Sequence, residues 1–122
     1  RDAGQYYSDG EWMEVDLAVT AWGSRPIPQP YLVQAYRSDG IYNESHWANE
    51  ALDALIDSAG VTADMDERAA IYSEIAKLFA EEGPIIVPFF APIVGASSER
   101  ITGLDMHPFP GRTDLRTVTV AE

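Results

Sequence analysis

Apolar residues recur every three to four positions from Asn49 to Glu82, then become continuous from Ile85 to Phe90. The first pattern is that of amphipathic helices, and the second is that of a strand covered on both faces. Two helices are predicted. Asn49 is a good N-cap for the first, whose stripe is Leu52, Leu55, Ile56 and Ala59, with Gly60 placed as a C′ glycine. Asp64 caps the second, with Glu67 three positions on as its capping-box partner. Ile71, Ile75, Leu78 and Phe79 form the buried stripe of that helix, Glu74 and Lys77 lie on its polar side, and Gly83-Pro84 stops it. Pro88 cannot donate to a ladder, so the strand Ile85–Phe90 is expected at an edge or a bend.

Upstream the period is two. Met13, Val15, Leu17, Val19 and Ala21 alternate with Glu14, Asp16, Ala18, Thr20 and Trp22, which predicts a half-buried strand ending at Gly23. The next seven residues, SRPIPQP, hold three prolines and form a stiff, irregular loop. A short helix from about Tyr31 to Arg37 follows, closed by Ser38-Asp39-Gly40, and residues 41–48 are expected to be loop. After Pro92, glycine, serine and proline become frequent and helical periodicity stops. Short strands are expected at Val94–Ala96 and Leu115–Val120, and a domain boundary near residue 90. The thirty-odd residues beyond it are too few to hold a core alone.

Composition narrows the function. The 122 residues include 46% hydrophobic and 23% charged positions, a globular balance. Twenty acidic residues against eight basic give a net charge of −12. Such a surface repels phosphate backbones, so nucleic acid is not an expected partner, and the charge also serves simple solubility. There is no cysteine, hence no disulfide and no thiolate metal site. The longest apolar run, Ile85–Val94, is about ten residues, half of the roughly 20 a membrane helix needs. The opening RDAGQYYSDG has no signal-peptide pattern and reads as the middle of a longer polypeptide.

Candidate chemistry is sparse. His46 and Glu50 stand four apart without the second histidine of a zinc-protease helix, and His107 precedes a proline. Asp64, Asp66 and Glu67 begin like a calcium loop, but Arg68, Ala69 and Ile75 occupy places that such a loop gives to a ligand, a glycine and a glutamate. These acids suit a helix N-terminus instead. No phosphate loop or catalytic triad motif is present, and no cofactor or metal is expected. Trp22-Gly23-Ser24-Arg25 leaves the end of the predicted strand on a proline-stiffened loop, where ligands of open α/β proteins gather. The residues alone leave a plainer reading open, with Trp22 in a core and Arg25 a solvated charge.

The order of these segments resembles the C-terminal part of the oligopeptide/dipeptide-type solute-binding proteins of ABC importers (solute-binding family 5). The resemblance rests on LAVTAWG, the proline loop, IYNESHW, NEALDALIDSA, DMDERAAIYSEIAKLFAEEGP, IIVPFF and ERITGLDMHPFPGRTDLR. DERAAIYSEI…EEGPIIVP carries most of it. It implies an α/β fold, part of a two-lobe type II periplasmic-binding-protein-like architecture. Residues 1–90 would belong to the second lobe, and 91–122 would cross the hinge and return to the first. It implies a periplasmic or extracellular, membrane-associated, non-enzymatic protein that hands a small solute or peptide to ABC permease subunits. The intact protein is expected to be monomeric, and this chain a portion of it that self-associates through exposed apolar surface. In peptide-binding members an acid shortly after the tryptophan receives the peptide ammonium. Here Arg25 stands three after Trp22 and no acid lies between Trp22 and Asp39, so an acidic or sugar-like solute is the expected variation. The expected ligand-binding residues are Trp22, Gly23, Ser24 and Arg25, with Tyr42 and Asn43 as further candidates. The competing readings are a hydrolase whose catalytic residues lie elsewhere in a longer chain, and a structural interaction domain.

Overall fold

A computed structural model describes residues 2–8, 10–109 and 111–122. The chain folds as two units: residues up to Thr20 together with Ile27–Ile86, and Ala21–Pro26 together with Val87–Glu122.

The first unit is helical. Helix α1 spans Ala3–Ser8, a 3₁₀ turn spans Glu11–Met13, and α2 spans Gln29–Tyr31 and runs on as a π-turn through Leu32–Tyr36. Helices α3, Glu50–Val61, and α4, Met65–Glu82, complete it. Both long helices begin where a polar cap satisfies their orphan amides. Asn49 Oδ1 accepts the Leu52 amide at 3.0 Å, and Asp64 Oδ1 accepts the amides of Asp66 and Glu67 at 3.0 and 2.9 Å.

The core is the apolar stripes of these helices pressed together. Leu52 and Ile56 of α3 are fully buried, with Ile75 of α4, Leu32 of the π-turn and Ala59 almost so. Leu55, Ile71, Leu78 and Phe79 pack around them, half-buried. Tyr36 meets Phe79 edge-on at 5.0 Å between ring centroids, an arrangement favoured by the ring quadrupoles.

A polar latch fixes α2 against α3 and α4. Gln29 Nε2 donates to the Ile56 carbonyl at 2.9 Å, while its Oε1 accepts from the Tyr72 hydroxyl at 3.1 Å. Gly60 lies inside α3, which continues to Val61, so it is not the C′ residue that the sequence suggested. A Cβ there would stand 3.0 Å from Gln29 Nε2, and glycine keeps room for the latch. Gly83 does end α4, although with φ −61° rather than a left-handed φ. Its amide bonds to the Phe79 carbonyl, and a Cβ would overlap that oxygen.

The strands expected at 13–22 and at Ile85–Phe90 do not form. Residues 14–24 carry no regular element after the 3₁₀ turn, and Leu17 and Val19 are each 92% exposed. Ile85–Phe90 carries none either, with Ile86 and Phe90 each 91% exposed. Alternation and apolar runs specify a strand only beside a partner that takes up its amides and carbonyls. Among the described residues no strand is paired with either segment.

The second unit holds the one sheet among the described residues, β1 (Ile101–Thr102) antiparallel to β2 (Thr119–Val120), in register Ile101↔Val120 and Thr102↔Thr119. The expected strand at Val94–Ala96 is absent, and that at Leu115–Val120 is confined to its last residues before Ala121. The threonine hydroxyls of the register pair meet at 2.7 Å. Gly103 turns the chain at φ +76° against the Thr117 carbonyl, where a side chain would be both strained and obstructed. Arg116 grips Asp114 through Nε and a terminal nitrogen, which holds the Asp114 carboxyl below its ordinary range.

Leu52→Ala should cost about 2–5 kcal/mol of unfolding free energy in urea titration, through a cavity at the helix interface. Asp64→Ala should cost about 1 kcal/mol through loss of the α4 cap. Val61→Ala, at a position 86% exposed, should change stability by no more than about 0.5 kcal/mol. Equal losses at Leu52 and Val61 would place the core elsewhere.

Candidate functional site

The six residues singled out from the sequence fall in both units. Trp22, Gly23, Ser24 and Arg25 belong to the second, Tyr42 and Asn43 to the first. Trp22 is half-buried, and Gly23, Ser24 and Arg25 are exposed. The Arg25 guanidinium curls back on its own loop, donating to the carbonyls of Gly23 at 3.4 Å and Ser24 at 3.3 Å. Both bonds are long, and a carboxylate would make shorter, charge-assisted ones. The prolines at 26, 28 and 30 stiffen the backbone just beyond it.

Asn43 is the one buried polar side chain among the described residues. Its Nδ2 donates to the carbonyls of Arg37 at 3.3 Å and Trp47 at 2.9 Å, and its Oδ1 accepts from the Ser45 hydroxyl at 2.8 Å. Those contacts shape the loop between the π-turn and α3, and a ligand would compete with them. Tyr42 is 40% exposed and stacks obliquely on Trp12, with centroids 5.8 Å apart. Trp12 in turn meets Tyr7 of α1 at 6.0 Å, so an aromatic row ties the N-terminal helix to this loop.

Sequence reasoning missed an acidic concavity of about 410 Å³ in the first unit. Glu14, Asp16, Glu44, Ser45 and His46 line it. His46 adopts φ +52°, and its Nε2 stands 2.6 Å from the Met13 carbonyl, a contact that requires the proton on Nε2. It therefore pins the 3₁₀ turn to the 41–48 loop. Burial pushes the Glu44 carboxyl above its ordinary value, against a hydrogen bond from the Thr20 hydroxyl that lowers it. Nothing in local spacing announces this concavity, because His46 and Met13 stand 33 positions apart. No three acidic or histidine side chains among the described residues are arranged to hold a metal ion. No helix among them is long and apolar enough to cross a membrane.

No protein-family model matches the chain. It is similar over 84 residues, at 31% identity, to the dipeptide-binding protein DppE of Bacillus subtilis (strain 168). The match covers 69% of this chain and 15% of that protein. The relative's name is that of a binding protein, not of an enzyme.

Glu44 provides a test of the concavity. Its folded-state pKa lies above its unfolded one, so the folded chain holds the proton more tightly. That contribution to stability is complete below the unfolded value and is lost as pH rises through the raised folded value. Thermal unfolding followed between about pH 4 and about pH 7 should therefore show a steeper loss of Tm in the native chain than in Glu44→Gln. Parallel profiles would mean that Glu44 is no more buried than an ordinary surface carboxylate.

Proposed function

We propose that this chain is a C-terminal portion of an extracytoplasmic solute-binding protein of an ABC importer, of the oligopeptide/dipeptide type. The observation that carries the reading is the 84-residue similarity to a dipeptide-binding protein. In this reading residues 1–90 belong to the second lobe of a two-lobe fold, and 91–122 cross the hinge into the first. The protein captures its solute by lobe closure, the ligand favouring the closed state through contacts from both lobes, and presents it to the permease. Trp22 forms an apolar wall of the cleft. Arg25 exchanges its long loop contacts for an anionic or hydroxyl-bearing group on the solute, with Gly23 and Ser24 holding the loop. An arginine at this position favours acidic or sugar-like solutes over the free ammonium of a peptide.

Mass spectrometry of a ligand released from the purified full-length protein should find a small solute bearing a carboxylate or a dense set of hydroxyls. With that solute, Arg25→Ala should weaken binding about ten- to a hundredfold in calorimetry, as for a hydrogen bond to a charged group. Unchanged affinity would remove Arg25 from the site. The 122-residue chain alone, carrying only part of the cleft, should show no micromolar binding.

A further inference from the structure

Prolines recur at every fourth position through the segment that follows α4: Pro84, Pro88 and Pro92. In an extended strand the N–H and C=O of one residue point to one edge and those of the next to the other. All three prolines therefore fall on the same edge, which loses its donors at each of them. The opposite edge keeps every donor, at Val87, Phe89, Ala91 and Ile93. Each proline also fixes its own φ and drives the residue before it towards extended geometry, so strand-like backbone is favoured along the run. Among the described residues no hydrogen bond is made by the backbone from Pro84 to Ala96. The side chains are left open as well: Val87 is 58% exposed, Phe89 73% and Phe90 91%. From Pro84 to Ser98 no residue carries a charge, in a chain whose net charge is −12.

We propose that Val87–Ile93 is a one-sided pairing edge. It takes a single β-strand through the backbone groups of Val87, Phe89, Ala91 and Ile93, and its proline-bearing side stops the sheet there. The occupant is a strand from the part of the protein outside these 122 residues, which rests on the reading of this chain as a portion of a longer binding protein. The length is there to supply it, since the 84 matched residues make up 15% of the relative. A second copy of the chain is disfavoured because each copy brings a charge of −12 and association costs translational freedom that a strand of the same polypeptide does not lose. The uncharged run suits an apolar strand, and blocking one edge prevents a further strand from adding.

Residue-resolved amide hydrogen exchange on the ligand-free full-length protein tests this. Val87, Phe89, Ala91 and Ile93 should exchange at least about tenfold more slowly than Phe90 and Val94. Fast exchange throughout, or slow exchange at Phe90 and Val94, would overturn the inference. The same alternation in the isolated chain, appearing together with a dimer in sedimentation, would overturn the assigned occupant in favour of a second copy. The adjacent phenylalanines supply a matched pair of variants. Phe89→Pro should lower the Tm of the full-length protein below that of Phe89→Ala, whereas Phe90→Pro should melt with Phe90→Ala. Equal effects of proline at the two positions would refute the one-sided edge. These readouts need no solute, so absence of solute binding would count against the proposed function alone.

Discussion

The burial of Leu52 and Ile56 between α3 and its neighbours is the constraint on which the first unit depends. Helices of this length are marginal alone in water, and their stability comes from packing an apolar stripe. Removing the α3 stripe would leave α4 with Ile75 uncovered and the Leu32 turn without a seat. The caps at Asn49 and Asp64 set where each helix starts, and thus which residues the 3.6-residue period turns inward. The Gln29 latch adds direction to that contact. An amide bonded at both ends specifies one seating of α2, where apolar packing alone tolerates several.

The loop from Arg37 to Asn49 is built on this helical frame rather than beside it. Arg37 pairs with Asp57 of α3 at 2.9 Å and stands 2.9 Å from Asp39, close enough for charge pairing, although its Nε–H is not aligned for a hydrogen bond there. Ser38 donates its amide to Asp53, and its hydroxyl accepts the amide of Asn49, the α3 cap. Ion pairs this exposed contribute little energy, but together they fix the path of the chain. Asn43 then closes the loop from inside. The acidic concavity and the Trp12–Tyr42 contact are consequences of that path.

The second unit depends on different physics. It has a two-residue ladder, one tight glycine turn and long stretches without regular structure. Its many exposed apolar side chains, Phe89, Phe90, Val94 and Leu115 among them, form a surface of the kind that natural chains cover. The proposed function accounts for that surface by assigning these residues to two lobes whose remaining strands lie elsewhere in the protein. The Arg25 loop belongs to this unit too, so the residue that would recognise the solute and the segment that would complete a sheet share one small body.

Much of the helical part was legible in the sequence. The caps at Asn49 and Asp64, both apolar stripes and the stop at Gly83-Pro84 follow from local rules, because a helix satisfies its backbone within itself and shows its inward face in its spacing. The strands were not decided in that way. The alternation at 13–22 and the apolar run Ile85–Phe90 are statements about faces, and a face becomes a strand only when a partner chain supplies the hydrogen bonds. Gly60 was misread for a related reason: a glycine near a helix end marks either a turn or a close approach, and only the position of Gln29 distinguishes the two. For the candidate site, the sequence singled out Trp22 and Arg25 as chemistry on a stiff loop. Tertiary structure alone showed that Asn43 spends its amide on its own loop and that Glu14, Asp16 and Glu44 converge, since those encounters join residues that no local pattern relates.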